Sequence, residues 1–134
     1  MSETRYLLDT SALLTLIEDE QGSDRVEELL RGGKTILPWI ALLEVYYISL
    51  QEQGEQIADQ RLAMLKQAAG TILWQTDEPT LLQAARFKAH YRISFADAII
   101  AAFAVQNGAM LIHKDPEYEG LVGQVHLEAL PYKA

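Results

Sequence analysis

The chain has 134 residues, 49% of them hydrophobic and 22% charged, with 19 acids against 11 lysines and arginines and a net charge of −8. That profile suits one folded domain over 1–134, with enough chain for a sizeable core. The lack of cysteine excludes disulfides and thiolate chemistry, and the acidic balance excludes the broad positive field that nonspecific attraction to nucleic acid requires.

The opening MSETRYLLDT has no basic region followed by a long apolar run, so no secretory signal is read there, and the expected location is the cytoplasm. Residues 5–9 read as a short strand whose apolar run Tyr6-Leu7-Leu8 is closed by Asp9. Thr10 and Ser11 can cap a helix over 12–20, which carries the stripe Leu13, Leu14, Leu16 and Ile17. Gly22-Ser23 breaks the chain before a second helix over 24–31, ended by Gly32-Gly33. A strand over 34–37 follows, and Pro38 can open the apolar helix predicted for 39–51. Gly54 and Gly70 bracket a helix over 55–69, and 71–75 is a third strand. Asp77-Glu78-Pro79 starts a helix running to about Tyr91.

Residues 93–113 form the most apolar stretch, with Asp97 as its one acid. It is long enough to raise a membrane span, but Asp97, Gln106, Asn107 and Gly108 interrupt it. A buried helix over 94–106 and a strand over 109–113 are the better reading, with Asn107-Gly108 as the helix stop. Lys114-Asp115-Pro116 is a turn, 117–121 a helical turn and 125–127 a last edge strand. Strands alternate with helices and read as continuous apolar runs. The expected fold class is therefore α/β, a three-layer α/β/α sandwich with a mostly parallel central sheet.

Three carboxylates are stranded in this apolar sequence. Asp9 is the only charge between Arg5 and Glu18, Glu44 the only one between Lys34 and Glu52, and Asp97 the only acid between Arg92 and Lys114. Each has a structural reading: a cap for Asp9, a partly exposed helix position for Glu44, and the fourth place of the capping box Ser94-Phe95-Ala96-Asp97, accepting from the Ser94 amide. All three together point to a shared acidic site. Ligands in open α/β sheets bind beyond the carboxyl ends of the strands, where Asp9 and Asp115 fall. Gathered carboxylates raise one another's pKa values, and a divalent cation relieves that. Hard oxygen donors suit Mg²⁺ or Mn²⁺, whereas zinc is disfavoured by the absence of cysteine and the scattering of His90, His113 and His126. Such an ion can activate water against a phosphodiester, so metal-assisted hydrolysis of a phosphate ester is the reaction class implied. Arg86, Lys88, His90 and Arg92 are the best local candidates for a phosphate-contacting rim, though a solvated helix face explains them too.

Asp9-Thr10-Ser11 after a strand, Glu44 in an apolar helix, Ser94-Phe95-Ala96-Asp97-Ala98 opening a buried helix and Asp115 after the next strand resemble, in this order, the PIN-domain ribonucleases. By length and layout the chain is most similar to the VapC toxins of toxin–antitoxin modules. The resemblance implies a Mg²⁺- or Mn²⁺-dependent endoribonuclease, a homodimer inhibited by a VapB-like antitoxin, with Asp9, Glu44, Asp97 and Asp115 as metal ligands. It also implies that Ser11 contacts a metal-bound water or a phosphate. One departure is His113, which stands where the family often has a hydroxyl residue two places before the fourth acid. Trp39, Tyr46 and Tyr47 are read as core or partner interface. Two other readings compete: a catalytically silent binding module that dimerises and docks a partner, and a phospho-acceptor receiver domain. The receiver fits poorly, because Asp77 lies beyond a threonine after the third strand.

Overall fold

The computed structural model describes residues 3–133; the ends of the expected 1–134 unit lie outside them. The elements run β1 (Tyr6–Leu8), α1 (Thr10–Ile17), α2 (Ser23–Arg31), β2 (Thr35–Pro38), α3 (Trp39–Gln53), α4 (Glu55–Ala68), β3 (Thr71–Leu73), α5 (Glu78–His90), α6 (Phe95–Gln106), β4 (Met110–His113), a 3-10 helix (Pro116–Leu121) and β5 (Leu127–Ala129). The sheet has five strands in the order β3-β2-β1-β4-β5, and every pairing is parallel.

Successive strand residues face opposite sides of a sheet. Leu7 and Leu8 of β1, all four residues of β2 and Leu111, Ile112 and His113 of β4 are buried, so both faces of the central strands are covered by helices. That makes the α/β/α sandwich expected from the apolar runs. Helix α6 packs on α5 and touches α3, and its face includes Ala98, Ile100, Ala101, Ala102, Phe103 and Ala104, all buried. The helix is buried, as its sequence foretold.

The differences from the sequence reading are local. Helix α1 begins two residues earlier than expected, because Asp9 rather than Thr10 or Ser11 is its N-cap, accepting from the Ala12 amide at 2.7 Å. Pro38 ends β2 with an extended backbone (ψ 148°) and caps α3 from outside instead of opening it. The last strand lies at Leu127–Ala129, two residues beyond the expected 125–127, because Leu127 pairs with Leu111 and His113 with Ala129. Val125 is instead buried beside Leu121 and pairs only in an isolated bridge with Val122.

The strand order creates a crevice. From β1 the chain leaves toward β2 on one side, while β4, its other neighbour, leads on toward β5. Connections that diverge from adjacent parallel strands leave a gap at their carboxyl ends, where ligands bind in open α/β sheets. Asp9 follows β1 and Asp115 lies two residues beyond β4, so both sit at this switch point.

Candidate metal centre at the switch point

Asp9 is 1% exposed and Asp97 9%, whereas Glu44, Asp115 and Glu117 are only partly buried. Asp9 is fixed by local chemistry: its carboxylate caps α1, and Ser11 Oγ lies 2.7 and 2.8 Å from its two oxygens. The same Ser11 oxygen accepts from the Lys114 amide at 2.8 Å, tying the loop after β1 to the loop after β4. Ser11 is thus a clasp between the two acid-bearing loops.

Asp97 departs from the capping box. Ser94 Oγ accepts from the Asp97 amide at 3.1 Å, which is the ordinary half of that motif. The Asp97 carboxylate turns inward instead and accepts at 2.9 Å from the hydroxyl of Tyr118, a wholly buried residue of the 3-10 helix. Asp115 caps that helix, its Oδ1 accepting from the Glu117 amide at 2.9 Å, so the turn expected at Asp115-Pro116 is present. Glu44 reaches the loop after β1 by another route, accepting from Thr10 Oγ1 at 2.6 Å.

One carboxylate oxygen from each of Asp97, Asp115 and Glu117 lies within 4.8 Å of the others. Of the expected quartet, then, Asp97 and Asp115 are in this group, Asp9 adjoins it, and Glu44 approaches through Thr10. Glu117 and Tyr118 were missed by the sequence reading. The available signal was the run Asp115-Pro116-Glu117-Tyr118, where a 3-10 turn stacks the side chain three places on over the first and keeps Glu117 within the same tight turn.

The electrostatics follow from burial. Loss of water pushes the Asp9 carboxyl up to about 7, against the pull of hydrogen bonds from the Ala12 amide, Ser11 and Tyr118; the charge on Asp115 adds to the rise. Asp97 is also raised, chiefly by burial, opposed by the Tyr118 phenol and reinforced by Asp9, Glu117 and Asp115. Burial and the surrounding acids hold Tyr118 well above the ordinary phenol value, so it remains a proton donor. No buried side-chain nitrogen or oxygen among the described residues lacks a hydrogen bond. Among them, too, no lysine, arginine or histidine makes an ion pair with Asp9, Glu44, Asp97, Asp115 or Glu117. Lys114, next to Asp115 in sequence, is drawn away to Gln21, whose carbonyl accepts from its Nζ at 2.7 Å. The acids are hydrogen-bonded but not neutralised. An all-carboxylate donor set of this kind suits a hard divalent cation.

His113 is a buried strand residue. Its Nδ1 accepts from the Asp115 amide at 3.3 Å and its ring lies 5.0 Å from that of Tyr118. Burial lowers its pKa, so it is a neutral support behind the acids. Arg86, His90 and Arg92 lie exposed on and just after the end of α5, which leads into the N-terminus of α6; Lys88 is exposed as well, but its Nζ donates to the Ile93 carbonyl at 2.9 Å. Trp39, Tyr46 and Tyr47 line a shallow surface cavity of about 430 Å³ with Leu43 and Trp74.

The parallel sheet, with a cluster of acids at its switch point, defines the class of the fold: an α/β protein with a carboxylate group at its strand ends. The PIN domain model matches residues 6–122, and the chain belongs to the PIN-domain family. Its fold is similar to VapBC2 of Rickettsia felis bound to a promoter DNA fragment (TM-score 0.78, 15% identity, 96% of this chain and 100% of that one). It is also similar to DNA-bound VapBC of Salmonella typhimurium (0.76, 15%, 95% and 98%). A further likeness is to VapC20 of Mycobacterium tuberculosis, described as a sarcin–ricin loop cleaving toxin (0.68, 14%, 86% and 93%). Comparison with curated proteins by sequence yields no match. No helix among the described residues is long and apolar enough to cross a membrane.

Proposed function

We propose that the protein is a divalent-metal-dependent endoribonuclease, the toxin of a toxin–antitoxin pair. The observation that carries this is the convergence of Asp97 of α6 with Asp115 and Glu117 after β4, and of Asp9 after β1 close enough to feel the charge on Asp115, at the carboxyl ends of the strands. Asp97, Asp115 and Glu117 would hold the ion, with Asp9 beside them and Glu44 at the margin through Thr10. Bound there, Mg²⁺ or Mn²⁺ supplies Lewis-acid activation of water and neutralisation of the charge that develops at a phosphodiester. The protein's own groups do the rest. Ser11 keeps the two loops at fixed separation, Ser94 sets the first turn of α6, and the end of α5 offers Arg86, His90 and Arg92 to the phosphates of an RNA strand.

A VapB-like antitoxin and self-association accord with the VapBC complexes among the similar folds. The exposed apolar side chains Leu43, Tyr47 and Trp74 give a surface suited to protein contacts.

The test is cleavage of mixed structured RNA by metal-stripped protein freed of any partner, with Mg²⁺ or Mn²⁺ restored, beside Asp9→Asn. Metal-dependent cutting that the variant lacks is expected. No cutting by folded native protein with either ion over several RNAs would refute the reading. Retained Mn²⁺ binding in that case would favour the silent binding module.

A further inference from the structure

Tyr118 is an odd residue to find in this pocket. It is the largest fully buried side chain among the described residues, and its hydroxyl donates to Asp97 Oδ1 at 2.9 Å while also facing Asp9. An ordinary core position would take phenylalanine, which needs no partner. The ring is held on one side by His113 at 5.0 Å, and His113 in turn accepts from the backbone amide of Asp115. Asp97 and Asp115 are therefore joined through a rigid chain of phenol, imidazole and main chain.

The phenol also limits how Asp97 can bind. A carboxylate has two oxygens, and donation to Oδ1 fixes the plane of the group and takes one of that oxygen's lone pairs. Donation from the phenol also draws electron density from Oδ1, which disfavours that oxygen as a second metal donor and leaves Oδ2 as the better single ligand. Calcium accepts bidentate carboxylates and tolerates irregular geometry, whereas Mg²⁺ requires a near-ideal octahedron and takes single oxygens. We infer that Tyr118 is a positioning residue that holds Asp97 to single-oxygen contact and so biases this site toward small octahedral cations over calcium. The inference rests on the metal site proposed above and adds the residue that sets its selectivity.

Tyr118→Phe keeps the ring on His113 and removes only the hydroxyl. Titrations of metal-free protein with Mn²⁺ and with Ca²⁺ read the effect directly. The variant is expected to bind Mn²⁺ about tenfold more weakly, in keeping with loss of a charge-assisted hydrogen bond. Its Ca²⁺ affinity should be unchanged or higher, so that the Mn²⁺/Ca²⁺ preference falls at least fivefold, on the order of 1 kcal/mol. With Asp97→Asn already in place, Tyr118→Phe should have no further effect on Mn²⁺ binding. A preference that moves less than twofold would overturn the inference while leaving the metal site standing. Failure of the native protein to bind Mn²⁺ at all would overturn both. Nuclear magnetic resonance of the native protein supplies an arm that needs no variant: the signal of the buried, hydrogen-bonded Tyr118 hydroxyl proton should persist at saturating Mg²⁺ and be shifted or lost at saturating Ca²⁺. The same response to both ions would count against the inference.

Discussion

The two ends of the parallel sheet are built on opposite principles. At the entry end, Thr35 is 1% exposed and its hydroxyl accepts from the Gly70 amide at 3.1 Å. A Cβ on Gly70 would lie 2.6 Å from the Gly33 carbonyl oxygen and 2.8 Å from that of Thr35, so the strands approach there only because a side chain is missing. The buried polar group at that end is neutral and satisfied, and the exposed charges beside it include the opposite-sign pair Lys34 and Glu3 at 3.0 Å. At the exit end, Asp9 and Asp97 are buried near other acids, hydrogen-bonded but with no cationic side chain paired to them among the described residues, so that ionising either is costly. The entry end spends its chemistry on stability. The exit end holds repulsion that only protons or a cation relieve.

The sharpest way to break that contrast is to remove charge at the exit end. Asp9→Asn retains a side-chain oxygen that can cap α1. RNA cleavage should fall by about a thousandfold or more, a loss on the order of 4 kcal/mol in transition-state stabilisation. The melting temperature of the metal-free variant should stay level or rise, since a buried charge has gone. A drop in both would make Asp9 a structural residue only.

The next effect in size is the response to pH. The folded-state pKa of Asp9 is raised to about 7 from an ordinary value of 3.8, so between those limits the native state binds more protons than the unfolded chain. Stability of the metal-free protein should therefore fall as pH rises from about 4, by up to about 1.4 kcal/mol per pH unit for each such group, with the Asp9 part ending near pH 7 and the Asp97 part, raised to about 8, ending near pH 8. Asp97 adds in the same direction. Urea titrations across this range, with and without saturating Mn²⁺, should show the slope flatten when the ion is present. A metal-free protein whose stability rises over this range would contradict the placement of these acids.

At the entry end the expected change is smaller and of the other kind. Gly70→Ala should cost about 1–3 kcal/mol by overpacking against backbone that cannot move aside. Mn²⁺ affinity should be unaffected, since the acids lie at the other end of the strands. The smallest effect concerns the sheet's edge, where Arg25 Nε donates to Glu128 Oε2 of β5 at 2.8 Å and Arg25 also pairs with Glu28. These groups are partly open to solvent, and Arg25→Ala should lower stability by less than about 1 kcal/mol in denaturant unfolding.

Sequence alone determined the alternation of strands and helices, the parallel sheet, the burial of α6 and the isolation of Asp9, Glu44 and Asp97, because each is written in local periodicity and in the high cost of placing a charge in an apolar run. It did not determine which way each carboxylate points. The spacing of Ser94 and Asp97 suits a reciprocal capping box, yet Asp97 is claimed by Tyr118, twenty-one positions away in the chain. Nor could spacing separate Ser11 as a ligand contact from Ser11 as the clasp to Lys114, or bring Glu117 into the acid group. Those choices belong to tertiary structure. They depend on β1 and β4 lying side by side and on a 3-10 turn folding back over the gap, and a hydrogen bond between distant segments leaves no periodic trace in sequence.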